Sequence, residues 1–80
     1  MLKADGFDKA FVGVAYRCGC EDIIAYDYDR CIGILCERDN MDIEEAKEYF
    51  EYNVLGAWVG DKTPIFIKRM RFKDLEEENY

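Results

Sequence analysis

Asp42-Ile-Glu-Glu-Ala-Lys-Glu-Tyr-Phe-Glu-Tyr-Asn-Val-Leu-Gly-Ala-Trp58 is the stretch whose reading decides the fold. Asp42 with Glu45 three positions on has the form of a capping box, Asp standing in for Ser or Thr, and Glu44 adds negative charge at the positive end of the helix dipole. Ile43, Ala46, Phe50 and Val54 then recur at helical spacing and predict a buried stripe. Gly56 suits the position just past a helix that accepts a left-handed backbone. Residues 42 to 58 therefore predict a capped amphipathic helix ending in an aromatic turn.

Working upstream, Tyr28 to Arg38 shows a second amphipathic pattern, with Tyr28, Cys31 and Leu35 on one side, Ile32 and Ile34 flanking, and Asp27 placed to cap it. Asp39-Asn40 ends it. The short β-branched and aromatic run Asp22 to Asp27 follows the turn-like Cys18-Gly19-Cys20 and reads as a strand. Residues 7 to 17 fit two patterns. Phe7, Ala10, Phe11, Val14 and Cys18 make a helical stripe, whereas Val12-Gly13-Val14 suits a strand; Asp5 and Asp8 favour a helix beginning near Gly6 or Phe7.

Downstream, Ala57-Trp58-Val59 predicts a short strand, Gly60 to Thr63 a turn, and Pro64 to Lys68 a final strand. Pro64 has no N–H, which places the start of that strand at a sheet edge. The expected fold is α+β, two or three helices packed on a small two- or three-stranded sheet, over a single domain of residues 1–67. Residues 68–80 form a charged C-terminal extension or terminal helix. In it Lys68, Arg69, Arg71 and Lys73 cancel Asp74, Glu76, Glu77 and Glu78, so the net charge of −7 belongs to residues 1–67.

Eighty residues suffice for one thin core, since folding at this size buries only roughly 60–65% of the unfolded chain's surface. A partner or a second copy of the chain would add to it, so a homo-oligomer, in the simplest case a structural dimer, is one expectation. No apolar run has the length of a signal segment or a membrane span. That leads to the expectation of a cytoplasmic protein whose four cysteines stay thiols. Acidic charge argues against direct binding to nucleic acid or to anionic membranes.

The residue types that are missing narrow the chemistry further. There is no His, Ser or Gln, and Thr63 is the lone Thr. Ser-His-Asp and Cys-His nucleophilic sites and His-ligated metal sites therefore cannot be built within one chain. Neither common phosphate-cradling glycine loop occurs. Cys18-x-Cys20 is too tight for a structural zinc pair, and Cys31 and Cys36, five apart on a helix, diverge by about 140°. Neither metal nor cofactor is expected, and a catalytic role is not.

Glu44, Glu48 and Glu51 lie on the outer arc of the third-quarter helix, and Tyr52, about 180° from Ile43, offers an aromatic ring among them. Exposed tyrosine beside charge is an interface composition, which makes these four the expected partner-binding residues. Asn53 falls instead inside the apolar arc between Ala46 and Tyr49, where a buried amide needs hydrogen-bond partners, expected in the Gly-Ala-Trp turn. With Trp58 and Tyr26 it makes the alternative site, a pocket for a flat, nucleotide-like ligand.

Glu45-Ala46, Phe50-Glu51-Tyr52-Asn53-Val54, Gly56-Ala57-Trp58-Val59-Gly60 and Thr63-Pro64-Ile65-Phe66 resemble a group of small proteins encoded by tailed bacteriophages and bacterial genomes. Weaker matches are Asp5 to Asp8, Arg17-Cys18-Gly19, Tyr26-Asp27, Cys31-Ile32 and Ile34-Leu35, so the resemblance spans about residues 5 to 67. It implies a phage or prophage setting in a bacterial host and carries over no catalytic residue. The functional expectation is a small acidic accessory protein that modulates a host protein by binding it.

Overall fold

Asp27 is both the last residue of one strand and the N-cap of the helix that follows, so strand and helix join without a loop. Its Oδ1 accepts from the Arg30 N–H at 3.1 Å, satisfying one of the donors that a helix start leaves free. The computed structural model describes residues 2–57 and 60–75 in full and the backbone of 76–78. In order the elements are β1 (Phe11–Ala15), β2 (Ile23–Asp27), α1 (Tyr28–Arg38), α2 (Ile43–Phe50), β3 (Ile65–Ile67) and α3 (Phe72–Glu78).

The strands form a mixed sheet in the order β1-β2-β3, with β1–β2 antiparallel and β2–β3 parallel. This is the expected α+β arrangement. A parallel pair needs a long crossover, and here it is made by α1 and α2. The turn between them uses Asn40 at φ 56°, a left-handed position that asparagine tolerates at a helix end. Strand β3 lies at the sheet edge, as Pro64 implied.

Residues 7 to 17 do not form the expected helix. Asp8–Ala10 is a single 3₁₀ turn, after which the chain extends as β1. Phe7 and Ala10 are nonetheless buried, because a 3₁₀ turn brings residues i and i+3 to the same side as a helix does. The β-branched Val12 and Val14 around Gly13 then favour the strand, which carries a bulge between Phe11 and Gly13.

The core lies between the sheet and α1–α2. Ile24, Tyr26 and Phe66 come from the sheet, Cys31, Ile32 and Leu35 from α1, Ala46 and Phe50 from α2, with Phe7 and Ala10 closing one end. Its centre is Phe50, whose ring meets Phe66 edge-on at 4.8 Å, Tyr28 at 5.3 Å and Phe7 at 6.1 Å. Tyr26 stacks on Phe66 at 5.7 Å. Edge-to-face and offset pairs at such distances add to the burial of the rings themselves.

The tail is tied back at its start: Arg69 Nε reaches Asp27 Oδ2 at 2.9 Å, and Lys68 Nζ lies 4.8 Å from the centre of the Tyr28 ring. No helix among the described residues is long and apolar enough to cross a membrane.

Candidate functional site

The capping box at the start of α2 forms in both directions. Glu45 N–H donates to Asp42 Oδ1 at 2.8 Å, and Asp42 N–H donates to Glu45 Oε1 at 3.3 Å. With the start fixed and Ala46 and Phe50 buried, the opposite face of α2 is set, and it carries Glu44 and Glu48 into solvent. Ile43 departs from its expected place in the buried stripe and is 58% exposed. It sits in the first turn, beyond the core's edge, and Met41 just before the helix packs against the core in its stead.

After Phe50 the helix changes pitch. Glu51–Leu55 is a π turn closed by Gly56 N–H to Glu51 O at 3.0 Å, and its wider winding ends the 100° phase on which the sequence reading relied. Two expectations fail for this reason. Gly56 is right-handed at φ −74°, ψ −7°, not left-handed; glycine relieves crowding there, because an added Cβ would meet Tyr52 O at 3.0 Å and Glu51 O at 3.1 Å, closer than most Cβ contacts. Asn53 is exposed and not buried, its Nδ2 donating back to Tyr49 O at 3.3 Å in place of the Gly-Ala-Trp turn.

Tyr52 is 84% exposed, and Glu48 and Glu51 near it along the chain are exposed as well. Beside it runs a shallow groove of about 400 Å³ lined by Met41, Glu45, Glu48, Tyr49, Tyr52 and Asn53. Glu48, Tyr52 and Asn53 thus meet at one place, while Glu44 and Glu51 are exposed outside the groove. Met41, Glu45 and Tyr49 were missed, although part of the signal existed: Glu45, Glu48 and Tyr49 fall at i, i+3 and i+4 on α2, and the π turn brings Tyr52 and Asn53 to the same groove.

The alternative site does not assemble. Tyr26 is 1% exposed, stacked in the core, and its hydroxyl accepts the Ala4 N–H at 2.9 Å. Trp58, and with it the short strand expected at 57–59, lies outside the described residues; Ala57 is not in a strand. Asn53 instead borders a cleft of about 290 Å³ with Val54, Pro64 and Phe66 on one side and the Leu2–Phe7 segment on the other.

Protein-family models, curated proteins and solved structures offer no match to this chain. The chemistry must therefore be read from its own side chains. Cys31 is fully buried; burial, and secondarily the charge of Asp27, push its thiol up to about 11. It is a packing residue. Cys18 and Cys20 are exposed at the β1–β2 connection. There Arg17 Nη2 donates to Cys20 Sγ at 3.1 Å, and this bond first, then charge attraction, raises the Arg17 guanidinium above its ordinary range.

Proposed function

We propose that this chain is a non-catalytic binding module, a small acidic accessory protein of phage type that acts inside a bacterial host by docking the α2 face on a basic surface of a host protein. The observation that carries this reading is Tyr52, an aromatic ring 84% exposed beside carboxylates and a groove. Tyrosine supplies large contact area at low entropy cost. Net charge of −7 outside the tail steers such a face toward a positive partner and away from nucleic acid.

Immobilised full-length chain, exposed to host lysate at low salt, should retain a basic protein that elutes as salt rises. Charge reversal at Glu44, Glu48 and Glu51 should abolish retention, and Tyr52→Ala should weaken it roughly tenfold or more, the loss typical of an interface anchor. All four side chains are exposed, so far-UV circular dichroism of the variants should match wild type. Retention that survives both changes would show that this face is not the docking surface.

A second reading, a small-ligand binder, is favoured only by the cleft at Asn53 and Phe66. A thermal-shift screen with nucleotides separates it, because an acidic docking module gives a flat result.

A further inference from the structure

The connection between β1 and β2 centres on Arg17-Cys18-Gly19-Cys20. Cys20 N–H donates to Arg17 O at 3.1 Å, and Gly19 holds φ +80°. These are the closing bond and third-residue angle of a type II turn, a place where glycine is needed. The turn brings Cys18 and Cys20 close together. Two peptide steps span at most roughly 7 Å, the turn shortens that, and disulfides bridge Cα separations of about 4.4–6.8 Å.

Several features distinguish this pair from the other two cysteines. Both residues are exposed, whereas Cys31 is buried and Cys36 half-buried. Arg17 holds the Cys20 sulfur by the 3.1 Å hydrogen bond. Below the turn opens a cleft of about 670 Å³, lined by Arg17, Cys20, Glu21, Asp61 and Lys62 together with the apolar Ile23 and Ile65. Lys62 is held there by Glu21 at 3.3 Å. Glu21 occupies Lys62 and Asp61 lines the same cleft, so Arg17, at the sulfur, is the cation that a small ligand's carboxylate would meet. A metal is the weaker fit, because among the described residues no three ligating groups converge.

We propose that Cys18 and Cys20 form a thiol–disulfide exchange site that accepts small carboxylate-bearing disulfides, of the oxidised-glutathione class, in the cleft beneath the turn. The site is independent of the acidic α2 face. Cys20, having released its proton to solvent, attacks one sulfur of the disulfide; the S–S bond breaks, and the first thiolate leaves and takes up a proton. Cys18 then loses its proton and attacks Cys20 Sγ, expelling the second thiol and closing the Cys18–Cys20 bond. Two protein thiols are oxidised as one small disulfide is reduced to two thiols. Cys20 goes first because it lines the cleft and carries the Arg17 contact, and Arg17 is a positioning residue for the reacting sulfur. Exposed disulfides are the readily reversible ones.

The test uses the full chain with Cys36→Ala as background, incubated with reduced and oxidised glutathione at several ratios. Samples are acid-quenched, alkylated, and read by intact mass and peptide mapping. The expected product has lost two hydrogens and links Cys18 to Cys20. Cys18→Ser should stop at one glutathione adduct on Cys20. Arg17→Ala should slow the first step by roughly 3- to 10-fold, Arg17→Lys should recover part of the rate, and an uncharged disulfide should react more slowly than glutathione. These turn residues are exposed, so circular dichroism should stay unchanged. The proposal is overturned if wild type gives only separate adducts on the two cysteines, if Cys20→Ser still forms the adduct at Cys18 at the wild-type rate, or if Arg17→Ala reacts as fast as wild type.

Discussion

Replacing Phe50 by alanine is the sharpest test of how this molecule is held together. The side chain is 0% exposed and its ring touches three others edge-on, those of Phe7, Tyr28 and Phe66. Phe→Ala in a core costs about 3–5 kcal/mol, and the ring pairs place this site at the upper end, about 4–5 kcal/mol. A chain of 80 residues has a total stability of about 4–12 kcal/mol. The variant should therefore lose from about a third to all of its stability. Urea titration followed by far-UV circular dichroism reads this directly. With a slope of about 1–1.5 kcal/mol per molar for so small a domain, the midpoint should drop by roughly 3–5 M. Phe50→Leu keeps most of the volume but loses the edge-on contacts, and should cost about 1–2 kcal/mol. A Phe50→Ala midpoint within about 1 M of wild type would refute the placement of this ring at the centre of the core.

Asp42→Ala removes the capping box and should cost about 1 kcal/mol, a fall of roughly 4–8 °C in Tm by calorimetry; an unchanged Tm would mean that α2 does not depend on its cap. Asp27→Ala loses the α1 cap and the Arg69 pair, but Arg69 is mostly exposed, so the pair adds at most about 1 kcal/mol to a cap of similar size. Asp27→Asn retains the Oδ1 acceptor and should fall less in urea than Asp27→Ala. Cys31 should resist alkylation in the native protein and react on unfolding, measured by mass spectrometry after a timed pulse. Its folded value of about 11 lies above the ordinary value of 9.0, so the unfolded chain releases this proton first. The stability it contributes is intact below about pH 9, declines between pH 9 and 11 and then levels, a trend that Cys31→Ala should lack.

Where local signals agreed with tertiary packing, the sequence was legible. Helix α1 runs from Tyr28 to Arg38 as read, because Asp27 caps it and its apolar side faces the sheet. The Asp42–Glu45 box formed for the same local reason. The errors at Phe7–Ala10, Gly56 and Asn53 have two causes, and that at Ile43 a third, its place in the first turn of α2 beyond the core's edge. A 3₁₀ turn leading into a strand mimics a helical stripe over four residues. A π turn shifts the phase of every residue after Phe50, which no 3.6-residue period reveals. Of the residues proposed for partner binding, the exposure of Glu44, Glu48, Glu51 and Tyr52 was legible from their distance from the apolar stripe. Tyr26 was not, because a strand residue becomes inaccessible only once helices from elsewhere in the chain cover it.

The parallel pairing of β2 with β3 also sets an order of events during synthesis. Ala25 pairs with Ile65, so the partner of β2 leaves the ribosome 40 residues (65 − 25) after β2 itself. The β1–β2 hairpin and the α1–α2 pair, whose contacts are local, can assemble in that interval, whereas docking β3 closes a loop that costs about 3 kcal/mol in chain entropy. Until it docks, one edge of Ile23–Asp27 offers unpaired backbone groups along an apolar run. A nascent chain paused before Ile65 is thus the species most exposed to association with its neighbours.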